Sequence, residues 1–165
     1  RAVDLTVAKL GRKAGRCRTL WTPLDGGDVP DFAALVRQVE SRAGGALAPA
    51  GAERLAHNHG SDFDRIFQLA EGSPELLGEI GSSGVLRAEV IYAIRSEMAH
   101  RLADVVFRRT DLGTGGDPGE AALVECAGIV ARECGWSAER TREELGEVRA
   151  RFGHAPMGFR APRRN

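Results

Sequence analysis

The chain has no apolar run approaching the roughly 20 residues of a membrane-spanning helix, so no transmembrane segment is expected. Aromatics make up only 5% of its 165 residues. The cysteines are three, Cys17, Cys126 and Cys134. An odd number, with no charged-then-apolar leader at the start, gives a disulfide framework little support and points to a reducing, intracellular setting. Also missing is any G-x-G-x-x-G run, the glycine turn that lets a dinucleotide pyrophosphate approach a helix N-terminus. Thr114-Gly115-Gly116 reads as a loop, not a phosphate cradle. No initiating Met is present, and Arg1 already falls within a helical pattern, which predicts a piece cut from a longer polypeptide.

Net charge is also lacking: 23 basic residues balance 23 acidic ones. The balance is uneven along the chain. Residues 1 to 18 carry six Lys or Arg against Asp4 alone, and the last 17 carry five Arg and no acid. The middle then holds twelve bases against twenty-two acids, a net charge of −10. Basic ends around an acidic body do not make the single basic face that reads nucleic acid, so no nucleic-acid partner is expected.

What is present is helical periodicity, with apolar residues returning at steps of three and four and no convincing strand. At this length one core is expected. The pattern predicts an all-α, compact bundle of about seven or eight short helices with no sheet. Val3, Val7, Leu10 and Ala14 mark a first helix, which gives way to an irregular stretch through Pro23, Gly26 and Gly27. Phe32, Leu35, Val36 and Val39 form the next stripe, closed by Gly44-Gly45. Pro49 opens a third helix reaching about His59, where Gly60 suits a left-handed cap and Ser61 an N-cap for the stripe Phe63, Ile66, Phe67 and Ala70. Ser73-Pro74 starts a short helix near Glu75 to Ile80, and Gly81 to Gly84 is a loop. Asp117, Pro118 and Glu120 form the clearest cap, ahead of Leu123, Cys126, Ala127, Val130 and Cys134. Gly135 ends that helix, and Ser137 with Glu139 opens a last one carrying Leu145, Val148 and Phe152.

Residues 85 to 109 require a break. At about 100° per residue, Leu86, Val90, Ala93, Ile94 and Met98 share one side, whereas Leu102, Val105 and Val106 cluster about a third of a turn away. Two helices meeting near Ala99 to Arg101 are predicted. Glu97 then falls on the apolar face, where burial demands a partner, with Arg101, Arg95 and Arg109 as candidates.

Among polar constellations, His57 and His59 stand two apart on a helix, point some 200° away from each other and cannot share a metal. Cys126 and Cys134 lie about 12 Å apart along a helix axis, too far for a disulfide. Glu89, Arg95, Glu97, Arg101, Asp104, Arg108 and Arg109 read as structural ion pairs tying helices together, since no nucleophile or metal-ligand set accompanies them. The minority reading, phosphate recognition by Arg108 and Arg109, requires both guanidinium groups to face one cleft. No catalytic, cofactor-binding or metal-binding residue is assigned.

The run Ala88-Glu89-Val90-Ile91-Tyr92-Ala93-Ile94-Arg95-Ser96-Glu97-Met98-Ala99, with Leu102-Ala103-Asp104-Val105 and Arg108-Arg109-Thr110, resembles the signature of the C-terminal domain of FAD-dependent glycerol-3-phosphate dehydrogenases and related oxidases. His59-Gly60-Ser61 is similar to that family's aromatic-Gly-Ser turn, where Tyr is more usual than His. Thr22-Pro23-Leu24-Asp25-Gly26-Gly27 looks like its entry loop, with Asp25 where Pro is usual, and Gly135-Trp136-Ser137 resembles its late turn. The resemblance implies residues 1–18 as a terminal helix left from an upstream FAD domain, 19–29 as a linker loop and 30–152 as the helical domain; 153–165, holding Pro, Gly and Arg with little to bury, is expected to be a mobile basic tail. It implies FAD and the substrate phosphate bound upstream, none bound by this piece, and the FAD domain as partner. The parent is then cytoplasmic or peripheral to the cytoplasmic membrane face. The competing reading is a free-standing helical interaction module whose basic ends reach a protein or an acidic polymer.

Overall fold

The structure is a computed structural model, and it describes residues 2–11, 15 and 18–153. Ala14, Cys17 and the tail from His154 lie outside them. Among the described residues the architecture is wholly helical. In order come α1 (Ala2–Lys9), α2 (Phe32–Ala43), α3 (Pro49–His59), α4 (Phe63–Leu69), α5 (Arg87–Ser96), α6 (Leu102–Asp104), α7 (Glu120–Cys134) and α8 (Ala138–Arg151). Short 3-10 turns at Gly60–Asp62, Pro74–Leu77 and Asp111–Gly113 link them, and α6 runs directly into a π-helical turn, Val105–Arg109. The nearest approach to a sheet is one isolated antiparallel bridge between Glu79 and Leu86.

Local chemistry sets most boundaries. The Asp31 carboxylate accepts the Ala34 N–H at 3.0 Å to start α2, and Gly44 ends it at φ 56, the left-handed conformation that glycine adopts without a Cβ clash. The Ser137 hydroxyl accepts the Arg140 N–H at 3.1 Å to start α8. Two expected caps fall elsewhere. The Asp117 carboxylate accepts from Gly119 at 2.9 Å, a turn that delays α7 until Glu120. Ser61 sits within a 3-10 turn, so α3 passes to α4 with hardly a break.

Two apolar clusters share the interior. One joins α2, α3 and α4 through Val39, Leu55, Ile66 and Phe67. The other joins α5, α6, α7 and α8 through Val90, Leu102, Val105, Leu123, Cys126, Val130 and Val148. Helix α5 is the wall between them: Leu86, Ala88 and Tyr92 face the first cluster, while Val90, Ile91 and Ala93 face the second. By contrast α1 buries none of its residues, although Val3, Val7 and Leu10 repeat at helical spacing.

The break after α5 comes slightly earlier than its apolar phase suggests. Ser96 is the last helical residue, Glu97 the C-cap, and Met98 takes φ 59, so that Glu97 and Ala99 both donate to the Ala93 carbonyl. Met98, assigned by periodicity to the apolar face, is therefore 76% exposed.

Candidate functional site

Two carboxylates are buried in the described structure, Glu89 and Glu144, and each closes a helix start. Glu89 is at the third position of α5, where its carboxylate turns back to accept the Leu86 N–H at 2.8 Å. That contact satisfies one of the four N–H groups a helix leaves unpaired. Burial costs a charge far more than one hydrogen bond returns, and α3 supplies the remedy. Arg54 donates to both Glu89 oxygens, and His59 Nε2 lies 2.9 Å from Oε1.

Burial alone pushes the Glu89 carboxyl up; the hydrogen bonds from His59 and Arg54 outweigh it and hold the group below its ordinary value. The Tyr92 ring meets the His59 ring edge-on, with centroids 5.5 Å apart. Arg54 also reaches Asp111, which Asn58 grips as well, leaving the Arg54 Nε buried without a partner.

Glu144 does for α6 what Glu89 does for α5, from another element. Projecting from α8, it accepts the Leu102 N–H at 3.0 Å and pairs with Arg101 at 3.2 Å and Arg140 at 2.5 Å. Arg101 extends the tie to Glu147 at 2.5 Å.

Of the seven charged residues singled out in the sequence, Glu89, Arg95, Arg101, Asp104 and Arg108 form side-chain hydrogen bonds or ion pairs. Arg95 grips Glu133 at 2.7 and 3.0 Å, linking α5 to α7. Asp104 accepts the Arg101 N–H and pairs with Arg108 at 3.3 Å; this is the only ion pair formed inside the set among the described residues. Arg108 and Arg109 are exposed. Glu97 is the correction: it is half-buried at the helix C-cap and has no ion pair with Arg95, Arg101 or Arg109 among the described residues. Its assignment to the apolar face assumed that α5 continues through position 97. The partners of Glu89 and Arg101, namely Arg54, His59, Glu144 and Glu147, were missed because they lie 30 to 46 positions away.

The cleft between α5 and α7, about 540 Å³, is lined by Arg87, Arg95, Arg132, Glu75 and Glu133, among others. Arg87 is held by Glu125 at 2.6 Å and by the Glu75 carbonyl, and Arg95 by Glu133, so two of the three guanidinium groups are already engaged. Neither Arg108 nor Arg109 lines it. Burial raises the Cys126 thiol to about 12, far from a reactive thiolate. No group of three or more His, Cys, Asp or Glu capable of holding a metal occurs among the described residues. Among the described residues no strand, glycine turn and helix of the kind that seats a dinucleotide pyrophosphate occurs.

Among the described residues the two buried carboxylates tie helices of an all-helical domain together. Residues 17–141 match the family described as the C-terminal domain of alpha-glycerophosphate oxidase, and the chain belongs to that family. It is 32% identical over 146 residues to a glycerol-3-phosphate dehydrogenase of Synechocystis sp., covering 87% of this chain and 26% of the relative. A glycerol-3-phosphate dehydrogenase of Mycobacterium leprae is 31% identical over 153 residues, covering 91% and 26%. The mitochondrial glycerol-3-phosphate dehydrogenase of Mus musculus is 29% identical over 165 residues, covering 96% and 22%. The chain thus spans about a quarter of the length of the curated relatives it matches. No described helix is long and apolar enough to cross a membrane.

Proposed function

We propose that this chain is the C-terminal accessory domain of an FAD-dependent glycerol-3-phosphate dehydrogenase and that it packs against the FAD domain without taking part in the chemistry. In this reading the parent removes two electrons from glycerol 3-phosphate to give dihydroxyacetone phosphate, and FAD passes them to a quinone. Those steps belong to the rest of the polypeptide. The observation that carries the reading is the family match over 17–141, together with a coverage of only about a quarter of each relative.

Residues 1–18 are then the last helix of the FAD domain and 19–29 the linker, a division supported by the lack of any buried residue in α1. Glu89, Arg95, Arg101, Asp104 and Arg108 serve as structural ties, since each carries out its hydrogen bonding within the domain. The parent is cytoplasmic or peripheral to the cytoplasmic face of the membrane.

The test is direct. The purified 165-residue chain is expected to show no flavin absorbance and no dye reduction dependent on glycerol 3-phosphate, while the whole parent polypeptide shows both. Stoichiometric FAD on the short chain overturns the proposal.

A further inference from the structure

Several large apolar side chains of the domain are left uncovered by its own packing, among them Trp21, Leu24 and Met98. Met98 carries a Cβ at φ 59, a region where a side chain costs roughly 1 to 2 kcal/mol and glycine is the usual occupant. The turn lets Glu97 and Ala99 both donate to the Ala93 carbonyl, but the side chain itself is 76% exposed and packs on little of the domain.

The loop before α2 exposes two more, Trp21 at 82% and Leu24 at 85%. Such residues on a long linker would ordinarily be uninformative, but this loop is fixed. The Ser61 N–H donates to the Gly26 carbonyl at 3.0 Å. A Cβ on Gly60 would come within 1.8 Å of that carbonyl oxygen, and one on Gly26 within 2.6 Å of the His59 carbonyl. Only two glycines allow the backbones to cross so closely.

The loop and the Met98 knuckle are joined by a polar strip. The Arg65 guanidinium pairs with Asp62 at 3.5 Å, contacts the Tyr92 hydroxyl and feels the charge of Asp25; Tyr92 in turn feels the charge of Glu97, the neighbour of Met98. The strip holds three carboxylates against one guanidinium.

We infer that Trp21, Leu24 and Met98, with the acidic strip Asp25, Asp62 and Glu97 between them, form the face on which the rest of the polypeptide docks. The inference rests on the proposed packing against the FAD domain and adds which face does the packing. The occupant is the polypeptide that makes up about three quarters of each matched relative, which joins this domain through the same loop. Its complementary surface is apolar at the two anchor points and basic between them, the arrangement of a desolvated core with matched charge.

The test uses single cysteines as footprints. Leu24→Cys, Met98→Cys and, as a control on α7, Val124→Cys are introduced into the whole parent polypeptide and into the 165-residue chain. Maleimide labelling is followed by peptide mass. Positions 24 and 98 are expected to label at least tenfold more slowly in the whole polypeptide than in the short chain, with position 124 labelling alike in both. If position 124 is protected and positions 24 and 98 are not, the domain packs by another face and this inference is overturned while the proposed packing stands. If all three label alike in both, both are overturned.

Discussion

Replacing Glu89 by Gln isolates what its charge does, because the side chain keeps its size and shape. The carboxylate accepts hydrogen bonds from the Leu86 N–H, from His59 and twice from Arg54. An amide has one oxygen, so its NH2 group must face at least one of these donors. A hydrogen bond to a charged group contributes about 1.5 to 3 kcal/mol, and a buried donor left unpaired costs a similar amount. With one such bond lost outright and the others weakened, Glu89→Gln is expected to destabilise the domain by about 3 kcal/mol.

At a urea dependence of about 2 kcal/mol/M for a domain of this size, the unfolding midpoint falls by about 1.5 M, read by far-ultraviolet circular dichroism at pH 7. The sign of the pH dependence is also fixed. Glu89 titrates below its ordinary value of 4.5 in the fold, so its contribution is full above that value and is lost as pH falls through the depressed folded pKa. The gap between wild type and variant should therefore narrow below about pH 4.5. A midpoint shift under about 0.3 M, or a gap that stays constant into acid, would refute the account of Glu89 as the charged pin of α5.

Three further outcomes follow from single contacts. Met98→Gly removes the Cβ from a left-handed position and is expected to stabilise the 165-residue chain, by up to about 1 kcal/mol once the greater flexibility of unfolded glycine is deducted; calorimetry or urea unfolding checks it, and a loss of stability contradicts the strain assigned there. Gly60→Ala places a methyl group into the Gly26 carbonyl, so the loop at 22–27 should detach and become a site of proteolytic nicking while far-ultraviolet dichroism changes little. Cys126, fully buried and raised to about 12, should resist a disulfide reagent at pH 8 until the protein unfolds; reaction at the rate of a free thiol contradicts its place in the core.

Helix existence was legible because it depends on local spacing. Val39, Ile66, Val90 and Leu123 are all buried as their stripes require. Gly44 and Gly135 end helices at positive φ for a reason contained in the residue itself. The break after α5 was also legible, since a shift of apolar phase cannot be accommodated by a straight helix. Partners were not. Glu89 drew attention only as one of several charges, and nothing local distinguishes it from Glu97. What separates them is that α5 is buried on every side near its N-terminus, whereas the chain leaves the helix at position 97. Likewise α1 has an apolar repeat but no burial, because periodicity records a face that seeks cover and not where the cover is. The start of α7 was misjudged by two residues for a smaller reason: Asp117 can cap a turn as readily as a helix.

Helix α5 links these features to one another. Six consecutive residues, Ala88 to Ala93, are buried, so the helix serves both apolar clusters and has no solvent face where its third residue could leave a charge exposed. A buried helix start still needs its N–H groups satisfied. A carboxylate meets that need only if cations surround it, which fixes Arg54 and His59 of α3 against α5 and so joins the two clusters. Seven residues at 1.5 Å each place the far end of α5, Ser96, about 10 Å from Glu89, and there the chain turns out through Met98. The docking knuckle is thus carried by the most deeply held helix in the domain and not by a loop free to adapt. A rigid mount of that kind keeps an interface geometry defined at little entropic cost on binding, as the proposed packing against the FAD domain requires.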